Sequence, residues 1–173
     1  MPYTKNYPGG WQNGAGGATP IEKAVLDHLE TQYDEAIKTV LKVADETINN
    51  SNVLQNDDEL LFAMAANEVW EFTLWVNFTS SAVADFAMGY SVPVGAVLHT
   101  VRITDEGGVV VRIDANPTSA AGAGATQVPI LVHGHIVNGA NAGNFQIRWA
   151  QSTAEVSDTK VLIGSSIVAH KLT

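Results

Sequence analysis

Hydrophobic positions along this chain change their period once. Before the polar run Asn49-Asn50-Ser51-Asn52, apolar residues recur at steps of three and four; from Val53 onward they alternate. One stripe of the first part runs Leu26, Leu29, Tyr33, Ala36, Val40 and Val43, and a second runs Ile37, Leu41, Ala44 and Ile48. Such spacing predicts one long α-helix over Pro20–Ile48. Thr19 is placed to cap it, Pro20 takes the first helical position, and Glu22 completes a capping box. Glu22 and Asp27 sit near the start, where the helix dipole favours acids. The asparagine run supplies the stop. The step from Leu29–Tyr33 to Ile37–Leu41 inserts a four-residue stutter. Such a helix either lies on the β domain of its own chain or forms a short coiled coil between copies. The wide double stripe and the small Ala36 and Ala44 favour a bundle of three or more.

After the helix the period is two. Trp70, Phe72, Leu74, Val76 and Phe78 share one face of a strand, and Glu71, Thr73, Trp75 and Asn77 share the other. Further strands are expected at Glu59–Ala66, Val83–Ser91, Ala96–Thr104, Gly108–Asp114, Gln127–Asn138, Asn144–Gln151 and Val161–Leu172. Asp105-Glu106-Gly107-Gly108 is a hairpin turn, and Asn138–Gly143 is another reversal. Many short strands with polar, Gly-rich connections predict an antiparallel jelly-roll sandwich. The low-complexity run Ala115–Thr126 is expected as an exposed loop or one lying against a neighbour.

Residues 1–19 hold five glycines with Tyr3, Tyr7 and Trp11. Glycine at that density makes neither helix nor strand. The segment is either a disordered tail or an extended docking arm anchored by its aromatics, and docking is the expectation carried forward. The predicted organisation is therefore an arm at 1–19, a helix at 20–50 expected to form a bundle of three or more, and a β domain at 53–173.

Composition sharpens this picture. Only 16% of the 173 residues are charged, so much of the surface is expected to be covered by copies or partners. The net charge of −9 argues against nucleic acid and against anionic lipid. With no cysteine there is no disulfide, thiolate nucleophile or Cys-ligated zinc. The N-terminus lacks the apolar core of a signal peptide, and no apolar run is long enough to span a membrane, so synthesis in the cytosol without ordinary export is expected.

Candidate chemistry is sparse. His133-Gly134-His135 puts two imidazoles on one strand face, a spacing that can bind a metal around a symmetry axis but that equally suits a polar strand face. Asp57-Asp58-Glu59 and Asp105-Glu106 are expected as solvated turns rather than as a glycosidase carboxylate pair. There is no G-x-S-x-G elbow, and Gly122-Ala123-Gly124 lacks the context of a phosphate loop. Trp75 stands on the polar strand face, as an interface residue or a sugar platform. No catalytic residue, metal or cofactor is expected.

Two stretches carry a resemblance. Trp11, Gly14, Gly16-Gly17, Thr19-Pro20-Ile21 and Leu26-Asp27-His28-Leu29-Glu30 resemble the N-terminal segments of tailed-bacteriophage fibre and minor structural proteins, with Asp27 where those have Asn. The stretch Leu54–Leu172 is similar to a phage virion β-domain. It opens on Leu54-Gln55-Asn56-Asp57-Asp58-Glu59-Leu60 and continues through the aromatic strand Val69–Phe78 and Gly134–Gly139. It closes on Ala142–Gln151, which includes Trp149, and on Gly164–Ala169. The resemblance implies a trimeric jelly roll of the tumour-necrosis-factor-like kind, assembled on a virion, with no catalytic residues. Expected partners are further copies and capsid, collar or tail proteins. A host surface glycan is the alternative partner, for a receptor-binding module.

Overall fold

The computed structural model describes residues 23–104, 110–113, 118–120 and 124–173. The arm with Tyr3, Tyr7 and Trp11, the helix cap at Thr19–Glu22 and the turn Asp105–Gly108 lie outside the described residues.

Helix α1 spans Lys23–Ala36 and then gives way to strands β1 (Ile37–Leu41) and β2 (Glu46–Ile48). The expected helix to Ile48 is therefore overturned at its C-terminal half. Ile37, Val40 and Leu41 belong to β1, Ala44 to the connection, and Ile48 to β2. The reason is local and tertiary together. Ile37, Thr39 and Val40 are β-branched, stiff at χ1 and suited to a pleated surface. Residues 37–41 also find an open strand edge, pairing antiparallel with residues 166–170. The β domain consequently begins at Ile37 rather than Val53.

The remaining strands are β3 (Gln55–Met64), β4 (Val69–Ser80), β5 (Phe86–Ser91), β6 (Val97–Thr104), β7 (Val110–Ile113), β8 (Thr118–Ala120), β9 (Gly124–Val137), β10 (Gly143–Gln151), β11 (Thr159–Val161) and β12 (Ser166–Lys171). All pairings are antiparallel. One sheet runs β1-β12-β4-β9-β6-β7, with β11 bridging β4 and β2, and the other runs β3-β10-β5-β8. From β3 to β6, and again from β8 to β11, the chain passes back and forth between the sheets, which is the connectivity of a jelly roll. The β6–β7 hairpin widens the first sheet beyond β9.

Two expectations change in detail. Ala115–Thr126 is not wholly a loop, since it contains β8 and the start of β9. The expected strand Val161–Leu172 is divided, with Gly164 at φ 86° turning the chain between β11 and β12, where a side chain would be strained.

The two sheets close on an aromatic core. Trp70, Phe72, Leu74, Val76 and Phe78 of β4 are all buried, as are Phe145 and Trp149 of β10. Phe72 and Phe145 meet at 4.6 Å between ring centroids, and Phe78 stacks on Phe86 at 4.3 Å. Gly134 of β9 pairs with Phe72, and a Cβ added there would stand 2.2 Å from the Phe72 ring. The glycine between the two histidines is thus a seat for an aromatic side chain.

One end of the sandwich is held by a buried charge cluster. Lys42 follows β1 and is 1% exposed. Its Nζ donates to Glu46 Oε2 at 2.9 Å and to Asp57 Oδ1 at 3.0 Å, with Glu59 Oε2 at 3.5 Å. Asp57 Oδ1 also accepts the N–H groups of Glu59 and Leu60. Asp57 is therefore no solvated turn residue. It lies fully buried in β3 and ties that sheet to the β1–β2 connection. Burial works against the Lys42 ammonium, but hydrogen bonds to Glu46 and Asp57 and their attraction outweigh it, holding the pKa above the ordinary lysine value. Burial likewise pushes the Glu46 carboxyl up, against the hydrogen bonds it accepts from Lys42 and the Asp58 N–H.

Two substitutions test this account in urea denaturation. Gly134→Ala is expected to cost about 1–3 kcal/mol through overpacking against Phe72. Lys42→Met is expected to cost about 3–5 kcal/mol, because it strands Asp57. Adding Asp57→Asn to Lys42→Met keeps the acceptor for the two N–H groups and is expected to recover part of that loss.

Candidate interaction surface

The first sheet has two sides of different character. Its inner side is the aromatic core. On its outer side, strand register lines up four rows of side chains across β1, β12, β4, β9 and β6. One row runs Leu41, Ser166, Trp75, Leu131, Ile103, and the next Thr39, Val168, Thr73, His133, Val101. A third runs Ile37, His170, Glu71, His135, His99, and a fourth is Val69, Val137, Val97.

This outer side is apolar for a solvent-facing sheet. Trp75 is 42% exposed, Val97 51%, Ile103 44% and Val137 42%, and Leu41, Val101 and Val168 are also open. These residues alternate with the buried positions of the same strands, so no rotation of a strand could hide both sets. Antiparallel sheets commonly face water with polar residues on the outer side. Here exposed apolar residues fill most of the first row and recur at Val168 and Val101 of the second and at Val137 and Val97 of the fourth, with the histidine-bearing third row between, an apolar share of the kind that marks a contact surface.

Half of the polar members of the four rows are imidazoles, beside Ser166, Thr39, Thr73 and Glu71. His99, His133, His135 and His170 are four of the five histidines of the chain, and all project from this side. His133 Nε2 is 2.9 Å from Glu71 Oε1, and its Nδ1 lies 3.4 Å from Thr73 Oγ1. Among the described residues, no group of three or more His, Asp or Glu side chains is arranged to hold a metal ion. His133 and His135 share the face expected for them, and His133 is engaged by Glu71.

Trp75 donates from Nε1 to Asn77 Oδ1 at 2.9 Å, which fixes its ring on the patch. Helix α1 packs against β1 and β12. Of its stripe, Leu29 and Tyr33 are 43% and 65% exposed, one turn apart on one face. Leu26 lies in α1, and its side chain is outside the described residues. No described helix is long and apolar enough to cross a membrane.

The histidine row had no signal in any single strand. Only His133 and His135 are close in sequence, and the others join them through pairing register. Sequence reasoning also missed Lys42 and Asp57, which are fifteen residues apart and buried by tertiary closure.

No family model matches the chain, and no curated protein matches it. Among solved structures, the chain is similar to the tripod from the baseplate of bacteriophage Tuc2009, at 11% identity and a TM-score of 0.37, over 98% of this chain and 78% of that one. It is also similar to chains of infectious bursal disease virus. For the Gx strain the identity is 8% and the TM-score 0.26, over 78% of this chain and 40% of that one. For the Gt strain they are 11% and 0.27, over the same shares. Likeness of this degree carries no argument about role.

Proposed function

We propose that this chain is a non-enzymatic structural protein of a tailed-phage virion, working as a homotrimer in a short fibre or in a head or neck decoration. The observation that carries this reading is the apolar outer side of the first sheet. A sheet closed on one side by its own core and left apolar on the other needs a partner there. Five strands at about 4.8 Å spacing and four rows of side chains give the patch a footprint on the order of 600 Å². That approaches the ~800 Å² per partner of a standard interface.

A second copy fits the patch better than an unrelated acidic or basic partner. The chain as a whole carries a net charge of −9. Along the four rows, Glu71 is the sole carboxylate among the described residues. Copies approaching by this side therefore bring together the part of the surface where like charge is sparsest. The exposed Leu29 and Tyr33 of α1 add a short stem to the same assembly. The resemblance of the N-terminal segments supports the virion setting, with Tyr3, Tyr7 and Trp11 clipping the trimer to a capsid, collar or tail protein. A host glycan at Trp75 is the less favoured reading, because that ring lies within the apolar patch and its N–H is taken by Asn77.

The full chain is expected to sediment as a trimer at micromolar concentration and neutral pH. Val101→Glu is expected to weaken assembly by about 2 kcal/mol or more per buried carboxylate, with an unchanged far-ultraviolet circular dichroism spectrum. Removing residues 1–36, which spares β1, is expected to weaken the trimer without abolishing it. A monomeric full-length chain would sink the proposal. Antibody labelling of intact particles of the phage that encodes the chain reads out the virion setting separately, and absence from the particles would sink that part.

A further inference from the structure

We propose that the chain closes a covalent amide cross-link between the side chains of Lys42 and Asp57, with Glu46 carrying the protons. The proposal does not depend on how copies meet. Lys42 and Asp57 are 1% and 0% exposed, and Lys42 Nζ lies 3.0 Å from Asp57 Oδ1. An amine and a carboxyl held together out of water are the two halves of an amide, and fixed proximity raises the effective concentration of each at the other. A buried ion pair alone is not a reactive site. Three further features distinguish this one.

The first is what Asp57 Oδ1 accepts. The backbone N–H groups of Glu59 and Leu60 donate to it at 3.0 Å and 2.8 Å. Attack of Nζ on Cγ places negative charge on that oxygen, and two N–H donors already aimed at it form an oxyanion hole. The second is Asp57 Oδ2. It is buried, and among the described residues nothing donates to it. A carboxylate oxygen left bare in this way is costly, and it is the oxygen that departs when an amide forms. The third is Glu46. Its Oε2 is 2.9 Å from Nζ and accepts the Asp58 N–H, while Gln55 Nε2 donates to its Oε1. Burial pushes this carboxyl up, against the hydrogen bonds from Lys42 and Asp58, which favours its taking a proton. Glu59 stands farther from Nζ, at 3.5 Å, and its carboxylate is engaged by the Val43 N–H.

The step is a condensation and balances as one. The ammonium passes a proton to Glu46, and the freed Nζ attacks Asp57 Cγ. The Nζ–Cγ bond forms and the Cγ–Oδ2 bond breaks. Oδ2 leaves as water, with the two protons that Nζ sheds through Glu46. One N–H stays on the new amide, Glu46 ends in its starting state, and no oxidant or cofactor is consumed. The product replaces an ammonium and a carboxylate in a dry site with a neutral amide whose carbonyl keeps both backbone donors, which removes the cost of burying two charges. Burial loosens the Lys42 proton, but the hydrogen bonds to Glu46 and Asp57 hold it, so the bond forms after folding has assembled the cluster. Joining residues fifteen apart, the amide fixes the end of β1 in the first sheet to β3 in the second.

The test is the intact mass of the purified full chain, followed by tryptic mapping. Expected is a mass lower than that of the sequence by one water. Trypsin should fail to cut after Lys42, whose amine is acylated, and should leave one peptide over residues 39–102. Fragmentation of that peptide should show Lys42 and Asp57 joined. Glu46→Gln keeps an oxygen acceptor beside Nζ but cannot carry a proton. It is expected to keep the far-ultraviolet circular dichroism spectrum of the wild type and the full mass of its own sequence. A wild-type chain at full mass and cut after Lys42 overturns the proposal. A loss of water that maps to any other residue overturns it too, since the cluster is then unreacted. A Glu46→Gln chain that carries the Lys42–Asp57 bond overturns the role given to Glu46.

Discussion

A sheet has two sides, and each strand must put half of its side chains on each. In β4 the inner half, Trp70 to Phe78, fills the core, and every one of those residues is buried. That packing fixes the register of β12 and β9 on either side, since a slip of one residue would exchange core and solvent faces. The register in turn decides what stands on the outer side. The aromatic interior and the apolar exterior patch are therefore consequences of the same constraint.

The buried cluster at Lys42 shows what holds the periphery to this centre. Three carboxylates surround one ammonium at a place where β1 leaves the first sheet and β3 enters the second. Such a cluster contributes little net stability relative to an apolar replacement, but breaking it by halves is costly. It acts as a fixed joint between sheets rather than as a source of binding energy. Glu68 does similar work at the opposite end of β3. Its carboxylate accepts hydrogen bonds from the Ala65 N–H, Trp70 Nε1 and Lys171 Nζ, so the β3–β4 turn is tied to the last strand. Burial raises the Glu68 carboxyl, and these three hydrogen bonds outweigh it, leaving it below the ordinary carboxylate range.

The alternation that names a strand was legible residue by residue, and β4, β6 and β10 lie where the pattern of Trp70–Phe78, Ala96–Thr104 and Asn144–Gln151 puts them. The end of the helix was not. Ile37, Val40, Leu41 and Ile48 satisfy helical spacing as well as strand composition, and pairing decides between the two, on β12 for the first three and on β11 for Ile48. A periodic pattern continues through a boundary when the next element happens to keep a compatible spacing. The short β8 and β11 were hidden for a related reason. Three residues such as Thr118–Ala120 carry no period of their own and become strand only because β5 offers them hydrogen bonds. The site was legible in part. Trp75 and the His133–His135 pair could be assigned to a strand face, whereas the row that joins them to His99 and His170 exists only across four paired strands.

On the proposed reading, the outer side also bears on how so weakly charged a chain would assemble as a defined particle rather than an aggregate. An exposed apolar sheet side invites indiscriminate association unless something limits it. Here the patch is bounded in sequence by polar turns. Most of the negative charge lies outside the four rows, so approach by other surfaces is opposed while approach by this one is not. Specificity thus comes from where charge is absent as much as from where apolar groups are present. On the proposed reading, a distribution that lets copies meet by one sheet side also keeps the rest of the surface free for other partners.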